Sequence, residues 1–147
     1  MTKIIVIRIR GSVGISKKIK DTLYLLRLRK KFVSVIIEKN NENMGMINKV
    51  KDYVAFGEIN SETLKQLLLK RARKQGDIPI EVGGKILNDF VNKFLENKAK
   101  FDEIKIKPFF RLHPPKSGFK KPIRLAYPKG ILGYQGTKIN DLAIKML

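Results

Sequence analysis

No cysteine occurs in the 147 residues. A disulfide scaffold and a thiolate-ligated zinc site are thereby excluded. There is one histidine, His113, so neither a histidine acid/base pair nor a two-histidine metal site can be built within one chain. Acidic residues number only 13. They are scattered, and the closest pairs, such as Asp102–Glu103, read as surface groups. No catalytic constellation, metal site or cofactor site is expected, and the chain reads as a non-enzyme without a small-molecule substrate. Long apolar runs are also missing. Ile4–Ile7 is too short for a signal-peptide core and is followed by Arg8 and Arg10. Nothing approaches the roughly 20 residues that span a bilayer. Neither end carries a lipidation signal, so no membrane partner is expected.

Positive charge is abundant. Lys and Arg total 32, giving a formal net charge of +19. The excess is not confined to a tail. Residues 1–60 carry 13 basic and 5 acidic groups, residues 61–100 carry 9 and 5, and residues 101–147 carry 10 and 3. Self-repulsion on this scale disfavours a compact fold unless a polyanion compensates; from charge alone nucleic acid is the first candidate and an anionic membrane the second. With 43% hydrophobic residues, a core can nevertheless form.

Hydrophobic periodicity predicts a β-α-β-α-β order over the first 60 residues, an α+β pattern. Ile4–Ile9 alternates as a strand, with Ile5, Ile7 and Ile9 on one face. A glycine turn, "RGSVGIS", leads to a helix capped by Ser16 and running to about Leu28. Phe32–Glu38 reads as a strand, Glu42–Lys51 as a helix and Tyr53–Ile59 as a strand. Two helices on one face of the sheet make a sufficient layered core. Ser61 is expected to cap a further helix. Others are expected near Lys85–Leu95, with Ile86, Phe90 and Phe94 on one side, and at Thr137–Met146. "FDEIKIKP", residues 101–108, alternates briefly like a strand. The domain division expected is a core, 1–60, and an extension, 61–147, that carries a basic Pro/Gly-rich strap over 108–136.

Four cationic constellations stand out. Lys17, Lys20, Tyr24, Arg27 and Lys31 fall within about an 80° arc of a continuous helix, a stripe suited to a phosphate backbone. Around the turn, Gly11 and Gly14 permit tight backbone geometry beside Arg8 and Arg10. The motif is neither a Walker A loop nor a dinucleotide fingerprint. At a helix end, Lys70, Arg71, Arg73 and Lys74 exceed what a helix dipole needs. In the strap, Phe109, Phe110, Phe119, Tyr127 and Tyr134 interleave with Lys105, Lys107, Arg111, Lys116, Lys120, Lys121, Arg124 and Lys129. Cations for phosphates and aromatics for unstacked bases suit RNA. His113 reads there as a stacking or hydrogen-bonding group. A solvated charged surface is the ordinary alternative for each.

The stretch "VIRIRGSVGISKKIKDTLYLLRLRKKFVSVI", followed by "NMGMINKVKDYVAFGEI", resembles the large-subunit ribosomal protein family called L-thirty, or L-seven in eukaryotes. "FFRLHPPKSGFKKPIRLAYPKG" with "INDLAIKML" is similar to the long C-terminal extension of its archaeal and eukaryotic members. The resemblance implies a ferredoxin-like βαβαβ core and a structural role in the cytoplasmic ribosome, bound to 23S-type rRNA. It leaves 5S rRNA and neighbouring large-subunit proteins as further candidate partners. By the same resemblance Arg10, Gly11, Lys17, Lys18 and Lys30, with Gly45 and Lys49 of the second helix, are expected to contact rRNA. Thr22, Leu23, Leu26, Leu28, Met44 and Met46 also match the family's pattern. Thr22 and the leucines are expected to serve the fold. Gly45 is expected to allow close backbone approach or to pack the helix start. With the cationic constellations, the expected RNA-binding set is completed by Arg8, Lys20, Tyr24, Arg27, Arg29, Lys31, Lys70, Arg71, Arg73, Lys74, Arg111, His113, Lys116, Phe119, Lys120, Lys121 and Arg124. The strap is expected to thread between RNA helices and be ordered by them rather than by the protein's own core. A non-ribosomal architectural protein that binds nucleic acid is the rival.

Overall fold

In the computed structural model the described residues are 3–11, 13–74, 78–79, 84–96, 98, 100, 106–115, 118–119, 125–127 and 129–147. The chain runs β1 (Lys3–Arg8), α1 (Lys17–Leu25), β2 (Val33–Glu38), α2 (Asn41–Val50), β3 (Val54–Glu58), α3 (Ser61–Arg71), β4 (Arg73–Lys74), β5 (Ile78–Pro79), α4 (Gly84–Leu95), β6 (Phe109–Arg111), β7 (Gly133–Tyr134) and α5 (Ile139–Met146). The fold is α+β with a ferredoxin-like βαβαβ core. Its main sheet has the order β6-β2-β1-β3-β7. Strand β1 is central and antiparallel to both β2 and β3, with Ile5 opposite Ile36 and Gly57. Strand β6 pairs antiparallel with β2, and β7 parallel with β3.

Both sheet faces are covered. Ile4 and Val6 pack with Leu23 and Leu26 of the first helical segment and Ile47 and Val50 of α2. Ile5, Ile7 and Ile9 pack with Leu64, Leu67 and Leu68 of α3, Leu87, Phe90 and Phe94 of α4, and Ile139, Ala143 and Met146 of α5. Successive side chains of a strand point to opposite faces. An almost unbroken apolar β1 therefore needs two layers of helix, and the second comes from residues beyond 60. Gly57 sets the closeness of that layer, because a Cβ there would collide with the Gly136 carbonyl oxygen and the Ile139 side chain.

Several expectations are corrected. Helix α1 stops at Leu25. Its end is a Schellman motif, with Leu28 N–H donating to the Leu23 carbonyl at 2.9 Å and Arg27 N–H to that of Tyr24 at 3.0 Å. Arg27 therefore takes a left-handed φ of 64°. It leaves the helix with Lys31, and the predicted five-residue stripe is broken. Asn60, not Ser61, caps α3, its side chain accepting from Thr63 N–H at 2.7 Å. The strap is not foreign to the core: Phe110 is fully buried and Leu112 is buried beside it. Between Pro108 and Pro114 the run "FFRLH" alternates with a period of two, which suffices for an edge strand despite the flanking prolines. Residues 101–105 of the expected strand and the side chain of Ile86 lie outside the described residues.

Candidate nucleic-acid interface

Three stretches far apart in sequence meet at the β6 edge. The first is the turn after α1. Its course is fixed by Arg8, whose Nη1 donates to the Leu28 carbonyl at 2.7 Å and whose Nε donates to the Arg10 carbonyl at 3.0 Å. Leu28 is buried, while Arg27, Arg29 and Lys30 around it are exposed. The guanidinium of Arg29 lies 4.2 Å from the centre of the Tyr24 ring, a cation–π contact that holds both.

The second stretch is the end of α3. Arg71 and Arg73 are half-buried. They are drawn towards β6 by Lys107 N–H, which donates to the Arg73 carbonyl at 2.9 Å. Burial, and after it the like charge of Arg73, lowers the pKa of the Arg71 guanidinium. Its Nε is buried without a hydrogen-bond partner. The third stretch is 107–111. The alternation that buries Phe110 turns Phe109 and Arg111 to the other face of the sheet, where Phe109 is half-buried against the cluster of the α1–α2 layer and Arg111 is exposed. Lys107 and Arg111 stand 5.8 and 5.9 Å from the Phe109 ring centre.

Two clefts result. One, of about 410 Å³, is lined by Arg27, Arg29, Lys30, Val33, Pro108, Phe109 and Arg111. The other, of about 250 Å³, is lined by Arg71, Arg73, Lys107, Phe109 and Arg111. Phe109 and Arg111 are common to both. None of the described lining residues is acidic. Cations gathered without carboxylates repel one another, and an anion between them relieves that repulsion.

The predicted residues thus divide. Arg27, Arg29, Lys30, Arg71, Arg73 and Arg111 come together at the β6 edge. Exposed elsewhere are Gly11, Lys17, Lys18, Lys20, Tyr24, Lys31, Gly45, Lys49, Lys70 and His113. Arg10 is half-buried, its guanidinium 5.1 Å from the Tyr53 ring centre. At Gly45 an added Cβ would meet nothing within 4 Å, so internal packing does not require that glycine. Arg8 is 2% exposed and hydrogen-bonded to backbone carbonyls, which makes it a positioning residue. Phe119 packs on Phe32, ring centres 6.1 Å apart, against the larger core cluster. His113 N–H donates to the Met146 carbonyl at 2.9 Å, pinning the strap to the end of α5. Lys116, Lys120, Lys121, Arg124 and the side chain of Lys74 lie outside the described residues. Phe109 lines both clefts and Lys107 one of them; both belong to the strap's interleaved cations and aromatics, although neither is in the expected RNA-binding set. Their signal was the period-two alternation that turns Phe109 away from Phe110.

Among the described residues no cluster of three or more acidic or histidine side chains could hold a metal. None of the described helices is long and apolar enough to cross a membrane.

A family model described as "Ribosomal protein L30p/L7e" matches residues 4–54. Similarity to individual proteins extends over nearly the whole chain. The large ribosomal subunit protein uL30 of Archaeoglobus fulgidus is 43% identical over 149 residues, covering 96% of this chain and 97% of that protein. Its namesake in Methanococcus vannielii is 42% identical, covering 97% of each. That of Methanopyrus kandleri is 38% identical, covering 94% of this chain and 99% of its own length.

Proposed function

Because the chain belongs to the ribosomal protein L30p/L7e family, we propose that it is a structural constituent of the large ribosomal subunit in the cytoplasm, binding and stabilising folded 23S-type rRNA without catalysing a reaction. The observation that carries the rRNA-binding part is the β6-edge groove, where six predicted cations converge with no carboxylate among the described lining residues. Cations in such a groove neutralise converging phosphates and release their counterions, which supplies affinity largely independent of base sequence. The sheet with its two helical layers docks as a rigid body, because Arg8 and the α1 cap fix the cationic turn before RNA arrives. Exposed Lys17, Lys18, Lys20 and Lys49 add phosphate contacts from the α1–α2 layer.

Sedimentation of the native protein in a cell extract tests this. The expected result is co-migration with the large subunit in high-magnesium gradients. Free protein near the top of the gradient contradicts the reading.

A further inference from the structure

The groove at the β6 edge is not uniform. Its larger cleft is lined by the apolar Val33, Pro108 and Phe109 together with Arg27, Arg29, Lys30 and Arg111. Its smaller cleft adds Arg71, Arg73 and Lys107 to the shared Phe109 and Arg111. Proline and phenylalanine side chains give a phosphate nothing to bond to. They do offer a flat apolar surface to a nucleobase. At about 410 Å³, the cleft falls within the roughly 300–1,000 Å³ of small-ligand sites. The abutting cleft is more cationic, with Phe109 its one apolar lining residue among those described and a half-buried Arg71 whose Nε is buried and unpartnered.

We propose that this edge receives one unpaired nucleotide, its base stacked on Phe109 in the larger cleft and an adjacent phosphate held by Arg71 and Arg73 in the smaller one. The inference rests on the RNA-binding function proposed above and specifies what the groove takes. A base inside a duplex cannot reach such a surface, whereas RNA loops and bulges present unstacked bases to aromatic side chains. No Asn, Gln, Ser or Thr is among the described residues lining either cleft. The site therefore selects for an unpaired base and discriminates little between the four, since every base has a π-face. The cations near the Phe109 ring, Lys107 and Arg111, bracket the stacked base with positive charge.

The test uses the full chain with three probes: a short single-stranded RNA of mixed sequence, its perfect duplex, and the same strand with abasic riboses. The unmodified protein is expected to prefer the intact single strand over both others at fixed salt. Phe109→Leu is expected to lose about 5- to 150-fold in affinity for the intact strand, the loss of one base stack, and nothing for the abasic strand. R71Q/R73Q is expected to weaken both strands and flatten the salt dependence. Equal loss on intact and abasic strands, or no loss, overturns the base site while leaving RNA binding standing. Failure of the unmodified chain to bind any of the probes removes the function on which the proposal rests. Should Phe109→Leu fold poorly by circular dichroism, ultraviolet crosslinking of the unmodified chain decides. A base crosslinked within 108–111 supports the site, and crosslinks only elsewhere refute it.

Discussion

Arg8 and Leu28, 20 residues apart, are joined by a 2.7 Å hydrogen bond from the guanidinium to the backbone carbonyl. A cation at the end of the central strand thus fixes the turn that carries Arg27, Arg29 and Lys30. Burial lowers the pKa of Arg8, and the carbonyls of Leu28 and Arg10 offset that cost. Arg8→Met removes the donor and leaves both carbonyls without it. Stability should fall by about 1–3 kcal/mol, read as a lower urea midpoint. RNA affinity should fall too, although Arg8 is only 2% exposed.

Arg27 holds a left-handed φ of 64° at the α1 cap. Such a conformation costs a residue with a Cβ about 1–2 kcal/mol, and glycine avoids it at an entropic cost of about 0.5–1 kcal/mol. Arg27→Gly should therefore raise the thermal midpoint slightly above that of Arg27→Ala, which keeps the strain. Both should weaken RNA binding alike. A stability that depends on the replacement, with an affinity that falls alike for both, identifies a residue kept for binding.

Glu58 ties β7 to β3. It accepts from the Tyr134 hydroxyl at 2.5 Å and from Lys39 at 3.1 Å. Burial alone raises the Glu58 carboxyl, but the Tyr134 and Lys39 hydrogen bonds outweigh it and hold the group below its usual range. Its contribution is complete above the unfolded value, about 4.3, and is lost as pH falls through the depressed folded value. The Tyr134 hydroxyl is raised by its bond to Glu58. Its contribution is present below the unfolded value, about 10, and is lost as pH rises through the folded one. Glu58→Gln should flatten both the acidic and the alkaline arms of stability against pH, measured by urea unfolding.

Phe110 is fully buried in the larger core cluster. Phe110→Ala should cost about 3–5 kcal/mol and shift the whole unfolding transition, since its cluster includes β1 as well as α3, α4 and α5. A chain ending at residue 60 should aggregate, because Ile5, Ile7 and Ile9 would lose the layer that covers them.

The β-α-β-α-β order was legible in the sequence because each element carries its own period and cap. Asn40 and Ser16 sit where caps are needed, and their side chains accept from Asn43 and Ile19 N–H. The second helical layer was legible only as helices. The run Ile4–Val6 shows that β1 is apolar on both faces, but not which later segment covers the second. The basic stripe failed for a local reason. Arg27 offers no glycine signal, so a helix end at a left-handed arginine looks like continued helix. The strap failed on weighting: five prolines and many lysines outweighed the short alternation that buries Phe110. The groove at the β6 edge exists only because β6 pairs with β2 and brings residues near 27, 71 and 109 together. That pairing is a long-range fact with no local signature.

Whether the converging cations at the β6 edge bind RNA phosphates is read from the salt dependence of binding to an rRNA fragment, for the unmodified chain and for R71Q/R73Q/R111Q. A steep linear fall of log K with log salt is expected for the unmodified chain. The slope should be shallower by about 2–3 in the triple variant, at roughly 0.7–0.9 per phosphate contact. A flat salt response, or the same slope in both proteins, would contradict phosphate binding at this edge.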